Sequence, residues 1–313
     1  MHPFAKDPDP SPIGQSLKAV RRSRVARPAV RESWLRDGPG SNREGRGHEP
    51  FVEVGWDRAL DLVAAELERV RSTFGNKSIY GGSYGWASAG RFHHAQSQIH
   101  RFLNAIGGYT YSVDDYSIAA GHVITPHIFG ISFDDFMDEQ PHFVEISENT
   151  ELVLAFGGMP IKNSQVQYGG QGRHMLSERL ETCRDRGVEF INLSPLGEDL
   201  IEAVEAEWIP VRPSTDTAVM LGLAHSLLVS GKHDEDFLQR YCVGWDRLRA
   251  YLLGEPDGVP KTADWASGIS GVDADRLRAL AMDMAGRRTL ITVSWSVQRN
   301  DHGEQPYWMA GAL

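Results

Sequence analysis

Five short stretches of this 313-residue chain hold side chains that could do chemistry. The first runs from Gly81 to Ser117 and opens GGSYGWASAG. It offers the Tyr84 hydroxyl, the Trp86 indole N–H, and small residues (Gly85, Ala87, Ser88) that let a ligand come close to the backbone. It closes on a polar loop of Asp114, Asp115, Tyr116 and Ser117. Hydroxyls, an indole and small residues at a strand end suggest the wall of a site rather than a core. The other four stretches are GGMPIKN (157–163), SPLGE (194–198), RPSTD (212–216) and SWSVQR (294–299). Each joins glycine or small residues to a polar or charged side chain. That set suits a nucleotide. Backbone N–H groups and the charges of Lys162 and Arg299 would meet phosphate, and Asp216 would accept from guanine or ribose donors. Ordinary βα turns favour the same residues, so pattern alone leaves both readings open.

A competing motif lies in the first stretch. Gly81-Gly82-Ser83-Tyr84-Gly85 matches G-x-S-x-G, the nucleophile elbow of serine hydrolases, and Asp301-His302 could be offered as partners. Such an elbow needs several sheet strands before it, and residues 1–77 supply at most one. No HGGG-like segment lies upstream. His93-His94 has no metal partner one helical turn on and is read as packing or hydrogen bonding, as is His127. Trp208, Trp245 and Trp265 are read as core or half-buried anchors, whereas Trp86 and Trp295 lie at strand ends among small polar residues.

Composition narrows the classes. A net charge of −10 argues against general nucleic-acid affinity. Cys183 and Cys242 lie far apart, which excludes a local iron–sulfur or zinc motif and fits a reducing, cytoplasmic compartment. No apolar run is long enough to span a bilayer, and no apolar signal segment is seen at the start. Arg21-Arg22 is not followed by an apolar stretch, so a twin-arginine signal is rejected.

The elements that must position these residues can be read from periodicity. The Pro-, Gly- and Arg-rich residues 1–50 are expected to run extended, with Lys18 to Arg31 a solvated strap. FVEVGW (51–56) alternates like a strand, and Leu60, Val63, Ala64, Leu67 and Val70 mark a helix over 57–73. A short strand at Ser78–Tyr80 should precede the paired glycines. Phe92, Ala95, Ile99, Phe102 and Ile106 then mark a helix ended by Gly107-Gly108. The acidic 131–150 segment reads as a loop or lid. Beyond it, apolar strands at 151–156, 188–193, 208–211 and 289–294 alternate with helices at 173–185, 215–229, 234–241 and 273–285. This predicts an α/β fold whose parallel sheet is covered on both faces, with ligands beyond the carboxyl ends of its strands.

At this point SYGWASAGRFHHAQ, GGYTYSVDDYSIAAGHVITPH, MPIKN, RPSTDTAVMLGLAHSLL, KTADWA and SWSVQRNDHGEQPYWM carry a resemblance. From about Arg24 to the last residue the chain resembles the dimethyl sulfoxide / trimethylamine N-oxide / biotin sulfoxide reductases, which use a molybdenum bis(molybdopterin guanine dinucleotide) cofactor. The resemblance implies a fragment, since family members are more than twice this long and the chain stops inside an apolar helix. It implies an extended segment over 1–55 and an α/β region over 56–125 carrying the metal ligand and substrate residues. A Rossmann-like guanine-dinucleotide domain would fill 126–313. Ser117 falls where the family has its molybdenum-ligating serine. Tyr84 and Trp86 match donors to the oxo or substrate oxygen, and the stretch Tyr84, Gly85, Trp86, Ala87, Ser88 lines the cofactor. Lys162 and Asn163, Leu193 and Ser194, then Ser214, Thr215 and Asp216, and finally Trp295, Ser296 and Arg299 match its guanine-dinucleotide contacts.

The chain departs from the pattern at Asp115, where the family usually has Gly, in the 131–150 segment, and at the SPLG turn, which commonly carries Arg. The implied activity is reduction of a small S- or N-oxide by oxygen-atom transfer, with a separate electron donor and the absent C-terminal domains as partners. The alternatives are a non-catalytic cofactor-binding fragment and a serine hydrolase using Ser83.

Overall fold

The computed structural model describes residues 20, 21, 23–83, 85, 92–164 and 174–313. They fall into two compact units, one of the described residues up to Val113, the other Asp114–Ser164 with His174–Leu313. The compact units part after Val113, so Ser117 belongs to the second.

In the first unit, strand β1 (Ala29–Arg31) pairs antiparallel with β2 (Phe51–Glu53), with α1 (Glu32–Asp37) between them. The extended strap expected here is therefore partly folded. The cause is Glu49, whose carboxylate accepts from Ser33 Oγ at 2.9 Å and pairs with Arg31 at 2.8 Å, closing the segment on itself. Helix α2 (Trp56–Phe74) forms as its periodicity requires, but Leu60 and Val63 on its apolar face stay exposed. The strand expected at Ser78–Tyr80 is a 3-10 turn (Asn76–Ser78) followed by a single bridge from Tyr80 to Thr110. Helix α3 (Ala95–Ala105) ends as expected at Gly107 and Gly108, with φ of 107° and 100°. Asn76 Nδ2 donates to the carbonyls of Ile106 and Gly108, fixing that turn.

The second unit opens with α4 (Ala119–Phe129), α5 (Phe133–Asp138) and α6 (Phe143–Asn149). The last two replace the loop expected over 131–150. Ser132 Oγ caps α5 by accepting from Asp135 N–H at 3.1 Å, and Asp134 and Asp135 fill its first turn, where negative charge complements the helix dipole. The acidity that read as a loop is the start of a helix. Next come β3 (Leu152–Phe156), α7 (Leu176–Asp185), β4 (Glu189–Leu193) and β5 (Glu207–Ile209). Helices α8 (Asp216–Val229), α9 (Glu235–Tyr241), α10 (Trp245–Leu252), α11 (Ala263–Ser270) and α12 (Ala274–Gly286) lead to β6 (Thr289–Val293) and α13 (Glu304–Ala312).

The four strands of the second unit form one parallel sheet in the order β5-β4-β3-β6. Side chains alternate across it. Leu152, Leu154, Phe156, Ile191 and Leu193 pack against α8, α11 and α12, while Val153 and Phe190 pack against α6 and α7. The chain steps outward from β3 to β5 and returns on the other side of β3. The switch therefore lies between β3 and β6, where open parallel sheets form their ligand crevice. Among the described residues no helix is long and apolar enough to cross a membrane.

Candidate cofactor site at the carboxyl edge of the parallel sheet

The turn after β3 is built for close approach. Gly157 and Gly158 have φ of 77° and 69°, a region that disfavours residues with a Cβ. A Cβ on Gly157 would sit 2.8 Å from Val297, and one on Gly158 would sit 2.5 Å from the Asp199 carbonyl oxygen. The glycines thus draw the turns after β3, β4 and β6 together. Their amides are already bonded: Gly157 N–H donates to the Leu193 carbonyl, Gly158 N–H to Ala155 and Met159 N–H to Asp199. The expectation that this turn presents backbone donors to phosphate is therefore corrected. The positive charge beside it comes from Lys162, on the 3-10 turn Ile161–Ser164.

Asp199, unnoticed in the sequence, links two expected residues. It accepts from Ser194 Oγ at 2.6 Å and lies 3.4 Å from Lys162 Nζ. The lysine side chain is 66% exposed and the aspartate side chain 13%, so the ammonium faces outward from a mostly buried anchor. Asn163 is exposed on the same turn. Leu193 packs fully into the core, so only its backbone faces this edge.

At the end of β5, Ser214 takes a φ of 65°, Thr215 Oγ1 donates to the Arg212 carbonyl, and Asp216 begins α8. Asp216 is buried, and burial pushes its carboxyl above the usual carboxylate range against a smaller lowering by its own backbone amide. On the opposite face of β4 from α8, Asn192 is buried with Oδ1 unpartnered, lining a cleft of about 400 Å³ with Gly197, Glu198, Glu202, Glu205 and Trp208. Such orphaned acceptors suit a ligand that carries N–H donors.

At the end of β6, the Ser294 and Ser296 hydroxyls bond at 2.9 Å, and Trp295 is 40% exposed with its ring tilted over Phe133. Arg299 Nε donates to the carbonyl of Ser117 at 3.2 Å. Residues assigned separately from the sequence are thereby joined. Asp115, the departure from Gly, turns its carboxylate onto the loop, accepting from the amides of Ser117 (2.6 Å) and Ile118 (3.0 Å). Its observed partners are backbone groups, and it shapes the turn that presents Ser117. Asp114 sits at φ 62°, a conformation Asp tolerates.

Tyr84, Trp86, Ala87 and Ser88 lie outside the described residues. Gly85 is described as half-buried loop in the first unit. Ser83 follows the lone bridge at Tyr80 instead of a sheet strand, so the strand that a nucleophile elbow requires does not precede it. His302 and Asp301, its suggested partners, are both exposed. The hydrolase reading is set aside on these grounds.

The molybdopterin oxidoreductase family profile matches residues 24–313. The chain belongs to the molybdopterin oxidoreductase family. Within it, the chain is 49% identical over its whole length to biotin sulfoxide reductase of Cereibacter sphaeroides, covering 42% of that protein. It is 39% identical to dimethyl sulfoxide/trimethylamine N-oxide reductase of Rhodobacter capsulatus, over 99% of this chain and 38% of that one. To trimethylamine-N-oxide reductase of Haemophilus influenzae it is 38% identical, over 96% and 36%. The chain thus spans about two fifths of the length of these relatives. In fold it is similar to acetylene hydratase from Pelobacter acetylenicus, with a TM-score of 0.57 at 19% identity, over 84% of this chain and 32% of that chain.

Family membership implies a molybdenum–pterin cofactor, and the carboxyl edge of the sheet fits such a group. The paired glycines leave no room for side chains between the turns, the Asp216 carboxyl is buried at a helix start, and Lys162 stands outward.

Proposed function

We propose that the protein carrying this chain reduces S- or N-oxides by oxygen-atom transfer, holding molybdenum in bis(molybdopterin guanine dinucleotide) form. The observation that carries this reading is the Arg299–Ser117 hydrogen bond, which ties a single serine to the ligand-binding edge of the parallel sheet. Similarity to enzymes named for biotin sulfoxide, dimethyl sulfoxide and trimethylamine N-oxide supports the substrate class. When bound, the molybdenum–pterin group supplies the two-electron couple on which oxygen-atom transfer depends.

This chain's residues hold and orient. Ser117 offers a hard oxygen ligand suited to a high-valent metal. Asp115 and Arg299 fix its loop from opposite ends. Lys162 neutralises phosphate charge, with Asn163 and the Ser194, Ser214, Thr215 and Ser296 hydroxyls and amides around the dinucleotides. The Asp216 carboxylate accepts from the guanine N–H edge, which compensates its burial. Trp295 gives an apolar wall. Tyr84 and Trp86 are assigned O–H and N–H donors to the substrate oxygen, a polarising role. Gly85, Ala87 and Ser88 line the cofactor beside them, and a separate protein supplies electrons. The remaining length seen in the relatives would complete the site.

The test uses the full-length gene product. Purified protein should contain molybdenum and oxidise a reduced dye when an S- or N-oxide is added. Ser117→Ala should lower that rate by orders of magnitude while leaving the fold intact. Dye oxidation that ignores every oxide offered, or an undiminished Ser117→Ala variant, would overturn the reading.

A further inference from the structure

The helix that begins two residues after Ser117 has no capping side chain of its own. Ile118 occupies its N-cap, and its first backbone bond is His122 N–H to the Ile118 carbonyl at 3.1 Å. The amides of Ala119, Ala120 and Gly121 precede that bond, and such first-turn donors need partners when buried. The buried Gly121 amide finds one far away in sequence: it donates to Gln298 Oε1 at 3.0 Å, across 177 residues. At its other end the same carboxamide donates through Nε2 to the Tyr307 hydroxyl of α13 at 3.0 Å. Gln298 is buried at the end of the short helix Trp295–Gln298 that leaves β6, and the next residue, Arg299, holds the Ser117 carbonyl. Two consecutive residues thus grip the chain on either side of Ile118. Gly121 makes the grip possible, because a Cβ there would lie 2.7 Å from the Phe133 ring and 2.8 Å from that of Tyr307.

We infer that Gln298 is the positioning residue for Ser117: by capping α4 from the end of β6, it sets where the serine hydroxyl stands at the sheet edge. The inference deepens the reading of Ser117 as a metal ligand and rests on it for its effect at the metal. Gln298 acts through Gly121, so its removal should loosen the loop before it touches any chemistry.

The test has two readouts on the full-length gene product. In cofactor-free protein, amide hydrogen exchange at Gly121 should quicken on the order of tenfold or more in Gln298→Leu, which strands a buried donor. Exchange should stay near wild type in Gln298→Glu, whose carboxylate still accepts from Gly121 while the Tyr307 hydroxyl turns from acceptor to donor. In molybdenum-loaded protein, the molybdenum(V) electron paramagnetic resonance signal of Gln298→Leu should shift toward that of Ser117→Ala, and Gln298→Glu should restore it. Unchanged Gly121 exchange in Gln298→Leu overturns the tie itself. Faster exchange with a wild-type signal, where Ser117→Ala does alter the signal, overturns the positioning role. A Ser117→Ala signal identical to wild type overturns the ligand reading instead, and the exchange result then judges the tie alone. If Gln298→Leu does not accumulate, Gln298→Asn, one methylene too short to bridge both partners, should show the same two changes; wild-type behaviour in it overturns the inference.

Discussion

Replacing Gly158 by alanine puts the close approach of the strand-end turns under direct strain. Two costs add. A residue with a Cβ at φ 69° pays about 1–2 kcal/mol for the left-handed conformation. The new Cβ would also lie 2.5 Å from the Asp199 carbonyl oxygen and 2.9 Å from its carbonyl carbon. These are backbone atoms, so relief requires moving the whole β4 turn, an overpacking cost of about 1–3 kcal/mol. Gly187→Ala separates the two costs, because Gly187 has φ 88° and a Cβ added there would meet nothing within 4 Å. Urea titration of both variants should show Gly158→Ala less stable than Gly187→Ala by about 1–3 kcal/mol, the overpacking share alone. Lys162 and Ser194 should loosen with Asp199, since all three are joined across this turn. Equal destabilisation of the two variants would refute the claim that steric closeness, beyond backbone conformation, requires glycine at 158.

Two further outcomes follow from the charges at the same edge. The Asp216 carboxyl is raised by burial, so the folded state holds its proton to higher pH than the unfolded state does. That difference removes stability as pH rises through the unfolded carboxylate value, about 3.9, toward the folded one. Asp216→Asn should therefore stabilise cofactor-free protein at neutral pH, with the gain vanishing in acid; a gain that persists at pH 3 would contradict this. Lys162→Met should weaken retention of the molybdenum–pterin cofactor about fivefold at low ionic strength, a modest figure because the ammonium is largely exposed. The difference should fade at high salt, and a salt-independent loss would assign Lys162 a role other than charge.

How much was legible varies with the range of the interaction. Strand β3 is a continuous apolar run and β4 and β6 are mostly apolar, each ended by small residues, and helices α8 and α12 follow from apolar spacing with Asp216 or Asp273 at their starts. The 131–150 segment misread because a short capped helix such as α5 carries its acidic residues where a loop would. Within the 1–50 stretch expected to run extended, the fold of 29–49 was not legible because it depends on Glu49 reaching back to Arg31 and Ser33. Gln298 stood inside a stretch already singled out, yet nothing local marked it apart from its neighbours.

The amino-acid order by itself determined the alternation of elements, the small-residue turns at the strand ends, and the family, because periodicity, glycine placement and motif spacing are local properties of a chain. Tertiary structure alone decided the order β5-β4-β3-β6, the bridge from Ser194 through Asp199 to Lys162, and the grip of Gln298 and Arg299 on the Ser117 loop. Those depend on hydrogen bonds and side-chain volumes meeting across as many as 182 residues, and a contact of that range leaves no period in the sequence.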